Sequence, residues 1–273
     1  MVITIEAERF KNNNNLNFNS LKMSDFNTFP LLSGVYNFST KDHNFNLMCV
    51  CNDDASVVNH FWKGKYKNIV DLDLWAEITK NKGIYIDVGS HTGLFTIVGL
   101  MSNTDNHLIS IEPSYMNMGR LMSNLRLNNL LKNHTSILCA CSDKTKTGKF
   151  LGHQDPTFMS KGGKIADQGN PIHIMSLDDI EFQDIKKVRG IKIDTEGEDY
   201  KVLLGAKNII RLSLPEIIIE VREENKKMIH EFLYEYGYKF YIILDTVKQI
   251  NLFDLEIAAN KSVNIFATMN SKF

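Results

Sequence analysis

The chain has 273 residues, 43% hydrophobic and 23% charged, with 31 Lys and Arg against 32 Asp and Glu for a formal net charge of -1. That balance removes the bulk electrostatic drive toward nucleic acid, and a chain this long buries enough surface to need no disulfide or metal staple. Met1–Lys11 lacks the apolar core of a secretory signal and no run approaches the roughly 18 apolar residues of a membrane span, so a cytoplasmic protein without a membrane span is expected.

Lys11–Asn19 is a polar, Asn-rich stretch expected to form a mobile loop or tail, because it has little apolar surface to offset ordering. Three short aromatic and β-branched runs follow, Val35–Phe38, Phe45–Val50 and Ser56–Trp62, broken by Gly, Asn and Asp. They predict a small strand-rich extension over residues 1–74, ahead of a main domain over 75–273. Four cysteines fall in two Cys-x-Cys pairs, Cys49/Cys51 and Cys139/Cys141. Structural zinc sites place two to four residues between such ligands, so small buried thiols in strands are expected, in a reducing compartment.

From Gly83 onward the pattern becomes regular. Ile84–Val88 predicts a strand, and Leu94, Ile97, Val98 and Met101 share one face of the helix after it. His107–Ile111 is a second strand, Met118, Met122 and Leu125 mark a second helix, and Ser136–Ala140 is a third strand. Gly190–Ile193 is the fourth, followed by a helix carrying Tyr200, Leu203 and Leu204. Glu216–Val221 is the fifth, followed by a helix with Ile229, Phe232, Leu233 and Tyr236, and with Gly237 as its C-terminal cap. Tyr238–Leu244 and Ser262–Met269 are expected to pair as an antiparallel edge. Strands alternating with helices predict an α/β fold with a doubly wound, mainly parallel sheet, whose ligands bind beyond the carboxyl ends of the strands. Residues 144–177 interrupt the rhythm on that side; they contain His153, His173 and Gly162-Gly163. An excursion of that length is usually functional or mobile.

The turn after the first strand reads Asp87-Val-Gly89-Ser90-His91-Thr92-Gly93. Its glycines let backbone approach a ligand closely. The D-x-G-x-x-x-G spacing differs from the dinucleotide fingerprint, in which three glycines seat a pyrophosphate on a helix N-terminus. It suits a ligand with an ammonium and a sulfonium in place of the pyrophosphate, as adenosylmethionine has. Glu112, at the end of the second strand and followed by Pro113, stands where a carboxylate accepts both hydroxyls of a ribose. Ser142 and Asp143, after the third strand, stand where an acidic side chain meets an adenine amino group.

With these motifs placed, the chain resembles the FkbM methyltransferases. The resemblance rests on Ile86-Asp-Val-Gly-Ser-His-Thr-Gly93, Ile111-Glu-Pro113, Ser142-Asp143 and Ser176-Leu-Asp-Asp179. Above all it rests on Ile191-Lys-Ile-Asp-Thr-Glu-Gly197 with Val202-Leu-Leu-Gly-Ala206. It covers about Trp75 to Val221, and this chain has Ser90-His91 where the family generally has Ala-Asn. The resemblance implies a Rossmann-like class I fold, S-adenosylmethionine as cofactor, and O-methylation of a hydroxyl on a sugar, glycan or related small metabolite. From the charge balance, no nucleic-acid partner is expected. A homodimer remains open.

Asp194 and Glu196 are the candidate catalytic residues. They alternate with Lys192 along the fourth strand and its exit, one face by period two. Methyl transfer requires a nucleophile aligned at near-attack distance and relieved of its proton. Two carboxylates there can orient a hydroxyl, accept its proton, or hold a divalent metal. Glu196 and Asp199 equally suit a helix N-terminus. N-methylation lacks its usual Asn/Asp-Pro-Pro-aromatic motif, since Asp194-Thr-Glu-Gly stands in that place. A cofactor-binding module without turnover is the remaining alternative, with Asp87, Gly89, Gly93, Glu112 and Asp194 all intact against it.

Overall fold

The computed structural model describes residues 5–63, 69–152, 163–182 and 184–270. The N-terminal part holds helix α1 (Ile5–Asn13), a hairpin of β1 (Gly34–Ser39) and β2 (Asn44–Cys49), then α2 (Ala55–Lys63) and α3 (Ile69–Ile78). Two expectations change here. The polar run beginning at Lys11 starts inside α1. Ser56–Trp62 is helix, because Val57, Val58, Phe61 and Trp62 recur at helical spacing and bury one face. Asp54 starts that helix: its Oδ1 accepts from the Val57 backbone N–H at 3.0 Å.

The main sheet is built from β3 (Ile84–Val88), β4 (His107–Ile111), β5 (His134–Ile137), β10 (Val188–Ile193), β11 (Glu216–Arg222), β12 (Lys239–Ile243), β13 (Val247–Ile250) and β14 (Ser262–Thr268). Its order is β13-β12-β14-β11-β10-β3-β4-β5. The five strands from β11 to β5 run parallel, and β14 enters antiparallel between β11 and β12. The fold is therefore α/β with a doubly wound, mainly parallel sheet and an antiparallel C-terminal edge, closed by β13. Crossovers run through α4 (Leu94–Ser102), α5 (Tyr115–Leu127), α6 (Asp199–Leu204), α7 (Lys207–Ser213) and α8 (Glu223–Glu235). Gly237 ends α8 at φ +86°, the left-handed conformation that glycine adopts without a side-chain penalty.

The two sheet faces carry separate cores. Tyr85, Leu108, Ile218 and Phe266 pack under α3 and α4 and merge with Phe38, Trp62 and their neighbours from the N-terminal part. Ile86, Ile191, Ile217 and Ile265 pack against α6, α7 and α8 through Val202, Ile209 and Ile229. The N-terminal part thus shares a core with the sheet, and residue 74 falls inside α3.

The third parallel strand is shorter than its apolar run suggests. The ladder to β4 ends at Ile111↔Ile137, and Leu138 turns outward. The chain then forms β6 (Ala140–Cys141) in a second sheet with β7 (Lys146–Gly152), β8 (Gly163–Ile165) and β9 (Asn170–Met175), ordered β6-β9-β7-β8. Much of the excursion after residue 144 is therefore an ordered small sheet. Cys49, Cys139 and Cys141 are buried as expected, whereas Cys51 is exposed in the turn after β2.

Candidate active site

The loop between β3 and α4 is shaped by backbone that few residues tolerate. Gly89 has φ +73°, and a Cβ there would stand 1.8 Å from the Asp194 carbonyl oxygen. Its N–H and that of Ser90 both donate to the Ile111 carbonyl, at 2.9 and 3.1 Å, which locks the loop to the end of β4. His91 takes φ +50°, and its N–H donates to Glu112 Oε2 at 3.0 Å. Gly93, at φ +93°, brings the start of α4 against Leu121, whose Cγ would be 2.9 Å from an added Cβ.

Side chains beneath the loop serve its frame. Asp87 is fully buried, accepts from Thr96 Oγ1 at 2.7 Å and stands 3.7 Å from Lys192 Nζ. Burial pushes its carboxyl up from the ordinary value, against Lys192 and Thr96, which favour the charged form. Thr92 donates to Asp54 Oδ2 at 2.5 Å, joining the loop to the helix that Asp54 starts. Asp87, Ser90, Thr92 and Gly93 thus hold the loop from below, while Gly89 and His91 reach the cavity above it.

Glu112 is the buried carboxylate of that cavity. Its Oε2 accepts from His91, and its Oε1 accepts from the Ser114 N–H at 3.0 Å and Asn117 Nδ2 at 3.3 Å. One side chain therefore fixes the glycine loop and the start of α5 together, and Oε2, with a single protein donor, retains capacity for a further one. Pro113 and Asn117 line the cavity beside it.

The third group comes from the end of β10. Lys192 is buried, donates to the Gly89 carbonyl at 3.1 Å, lies 3.6 Å from Asp194 Oδ2 and stands 5.1 Å from the centre of the Phe95 ring. Burial alone would lower its pKa, but Asp194, Asp87 and Glu112 together hold it above the ordinary lysine value. The period-two alignment ends after Asp194. Glu196 turns at φ +56°, and its Oε2 accepts from Arg222 at 2.9 Å. Asp199 holds this turn through the N–H groups of Thr195 and Gly197, at 2.9 and 3.2 Å, and burial pushes its carboxyl up to about 6.

These groups meet around a cavity of about 280 Å³ beyond the carboxyl ends of β3, β4 and β10. Val88, Ile111, Cys139 and Ala140 give it an apolar floor, and Phe150 and Ile165 of the small sheet face it from the excursion. Glu112, Asp194, Glu196 and Glu198 bring carboxylates to its edges. Ser142 is buried and donates to Glu198 Oε2 at 2.8 Å, and neither it nor Asp143 lines the cavity. Glu198, Asn117, Phe150 and Ile165 line the cavity without having been singled out in the sequence; the signal for Glu198 was a carboxylate two positions past Glu196, at the strand exit. His173 is exposed beside a neighbouring groove, and His153 lies outside the described residues.

The lining fits adenosylmethionine chemically. An apolar slot suits an adenine ring, a buried carboxylate at the end of β4 suits a ribose diol, and further carboxylates suit an ammonium and a sulfonium. A metal finds less. Among the described residues no group of three or more His, Cys, Asp or Glu side chains is placed to hold one. Asp194 and Glu196 face Lys192 and Arg222.

The family model described as Methyltransferase FkbM domain matches residues 87–240. No curated protein sequence matches the chain. Among solved structures, the methyltransferase FkbM from Methylobacillus flagellatus KT is similar at 14% identity and a TM-score of 0.48, covering 78% of this chain and 53% of that one. This chain therefore spans about half the length of that relative. TYW2 from M. jannaschii, solved in complex with AdoMet, is similar at 14% identity and a TM-score of 0.46, covering 86% of this chain and 84% of that one. A SAM-dependent methyltransferase from Agrobacterium tumefaciens aligns at 11% identity and a TM-score of 0.49, covering 87% of this chain and 70% of that one.

Proposed function

The chain belongs to the FkbM methyltransferase family, and from that premise we propose that it moves the methyl group of S-adenosylmethionine to a hydroxyl of a sugar, glycan or related small metabolite. The observation that carries this reading is the pair Glu112 and Asp194 on the walls of one cavity. They sit at the ends of β4 and β10, two strand spacings apart across β3, about 10 Å. That span separates a ribose anchor from a reacting centre.

When bound, S-adenosylmethionine supplies an electrophilic methyl group on a sulfonium and departs as the neutral thioether S-adenosylhomocysteine. Glu112 accepts from a ribose hydroxyl through the capacity left beside its three protein donors, and Pro113 directs the chain away. Phe150 and Ile165 cover the apolar slot and exclude water from the adenine. Asp194 orients the acceptor hydroxyl and takes its proton as the new carbon–oxygen bond forms. Lys192, pinned by Asp87 and the Gly89 carbonyl, fixes where Asp194 stands. Glu196, drawn aside by Arg222, shapes the mouth of the cavity.

Free cysteines among the described residues suit a reducing cytoplasm, and no described helix is long and apolar enough to cross a membrane. The reading is tested by Asp194→Asn, which keeps size and packing while removing the proton acceptor. It should bind S-adenosylhomocysteine within about twofold of wild type and lose about 10²–10⁴ in turnover. Full turnover in the folded variant would remove Asp194 from the mechanism.

A further inference from the structure

A second hollow opens on the other side of Asp194. It measures about 520 Å³ and lies beyond the carboxyl ends of β10, β11 and β12, on the sheet face covered by α3 and α4. Asp194 belongs to the walls of both hollows, so the two adjoin at this residue.

The two linings differ in chemistry. Hydrogen-bonding groups dominate the second: Asp71 from α3, Glu220 from β11, Asp245 after β12, and Ser262 and Asn264 from β14. Phe95, Ile218 and Val263 stand among them as apolar surface. The polar groups are held in place by one another. Asn264 Nδ2 donates to Asp71 Oδ2 at 3.2 Å, and the Leu72 N–H donates to Asp71 Oδ1 at 2.9 Å. Ser262 Oγ donates to Glu220 Oε1 at 2.5 Å. A carboxylate oxygen accepts more than one hydrogen bond, so each keeps capacity toward the hollow.

The cations nearby are already engaged. Lys192 is shared between Asp87, Asp194 and the Gly89 carbonyl, and Arg222 between Glu220 and Glu196. The hollow therefore offers acceptors and excess negative charge, with apolar side chains between them. Hydroxyl groups donate to such acceptors, and a pyranose also has faces of C–H groups that pack on an aromatic ring. An anion meets repulsion from several directions. Asp71 adds a further indication: its carboxyl is 6% exposed and pushed up to about 6 by that burial. Its two oxygens already accept from the Leu72 N–H and Asn264 Nδ2, which hold the carboxyl in a fixed orientation at the wall of the hollow.

Resting on the methyltransferase reading above, we propose that this hollow is the acceptor subsite and that it selects an uncharged saccharide unit over phosphorylated or uronic sugars. Asp71, Glu220 and Asp245 accept from the sugar hydroxyls, Asn264 holds Asp71 in place, and Phe95 meets the ring. The hydroxyl that points to Asp194 is the one methylated. Its O–H bond breaks toward the Asp194 carboxylate, the methyl–sulfur bond breaks, and a methyl ether and S-adenosylhomocysteine result. The N-terminal part, through α3, thereby contributes to choosing the acceptor.

The experiment follows tritium from methyl-labelled S-adenosylmethionine into methyl glycosides of neutral hexoses and deoxyhexoses. Hexose 6-phosphates and uronic acids serve as comparison, with calorimetry of S-adenosylhomocysteine run in parallel. The full chain, Asn264→Ala and Asp245→Lys are compared; Asp245 is exposed, so its replacement spares the core. Neutral glycosides should be labelled with kcat/KM at least tenfold above their acidic counterparts. Asp245→Lys should shrink that ratio at least fivefold, and Asn264→Ala should raise KM at least fivefold with kcat within twofold. Both variants should bind S-adenosylhomocysteine within twofold of wild type. The acceptor assignment is overturned if cofactor binding is intact while no glycoside is labelled, acidic sugars are preferred, or both variants keep wild-type KM and selectivity. Failure of the wild-type chain to bind S-adenosylhomocysteine would instead overturn the cofactor reading beneath it.

Discussion

Glu112 carries more of this site than any other single side chain. It accepts from His91, Ser114 and Asn117 and still faces the cavity. Replacing it by alanine would remove the charge-assisted contact proposed to the ribose and release donors that position the glycine loop. Affinity for S-adenosylmethionine should fall by about 1.5–3 kcal/mol, roughly 10- to 150-fold. Titration of the folded Glu112→Ala variant checks this, and unchanged affinity would remove Glu112 from the cofactor site. Gly89 makes a complementary prediction. An alanine there would need a strained φ and would collide with the Asp194 carbonyl. Gly89→Ala should therefore lose both stability, by about 2–4 kcal/mol in urea denaturation, and cofactor affinity. A variant as stable as wild type would mean that the loop has room the geometry denies it.

At the scale of elements, the cofactor loop depends on the N-terminal part. Asp54 caps α2 with one oxygen and accepts from Thr92 with the other, and both residues are buried. Asp54→Ala should lower stability by about 2 kcal/mol, a lost cap together with a buried hydroxyl left unpaired. It should also weaken cofactor binding, since the loop loses an anchor. Thr92→Val, which removes only the hydroxyl, should reproduce the binding effect with less loss of stability; equal affinities in both variants and wild type would sever this link. Much of this element-level plan was legible. Ile84–Val88, His107–Ile111 and the helix faces between them follow from local periodicity, and the structure reproduces them. Ser56–Trp62 was misread because its β-branched and aromatic residues favour strands in isolation, while the Asp54 cap and the buried face settle it as helix. Cys139–Cys141 is apolar because it floors a cavity, a tertiary cause that leaves no period in the sequence.

Over the whole molecule, two buried carboxyls set a pH dependence. Asp71 and Asp199 are each pushed up to about 6 by burial, from an ordinary value of 3.8. The native state thus binds their protons more tightly than the unfolded state does. Their stabilising contribution is full below pH 3.8 and is lost as the pH rises through 6. Each group accounts for about 3 kcal/mol of that change. Asp71→Asn should match wild-type stability near pH 4 and exceed it by about that amount at pH 7, measured by urea denaturation across the range. A constant difference between the two proteins would contradict the shift. A stability gain from an amide at Asp71 would agree with a carboxyl retained for binding.

What the sequence left illegible at this scale was the relation between distant segments. Asp71 and Asn264 stand almost two hundred positions apart, yet they share a hydrogen bond in one hollow. Glu198 reaches the cavity because Asp199 folds the turn before it, and Ser142 serves Glu198 rather than the cavity itself. The loop glycines, Glu112 and Asp194 were legible because strand ends in a parallel sheet converge by topology alone.

We propose that one cavity beyond β3, β4 and β10 binds S-adenosylmethionine. Calorimetric titration of the purified full chain with S-adenosylmethionine and S-adenosylhomocysteine tests it most directly. Micromolar binding of both, lost by at least tenfold in Glu112→Ala, is the predicted result. No heat of binding for either ligand, in protein shown by circular dichroism to be folded, would contradict it.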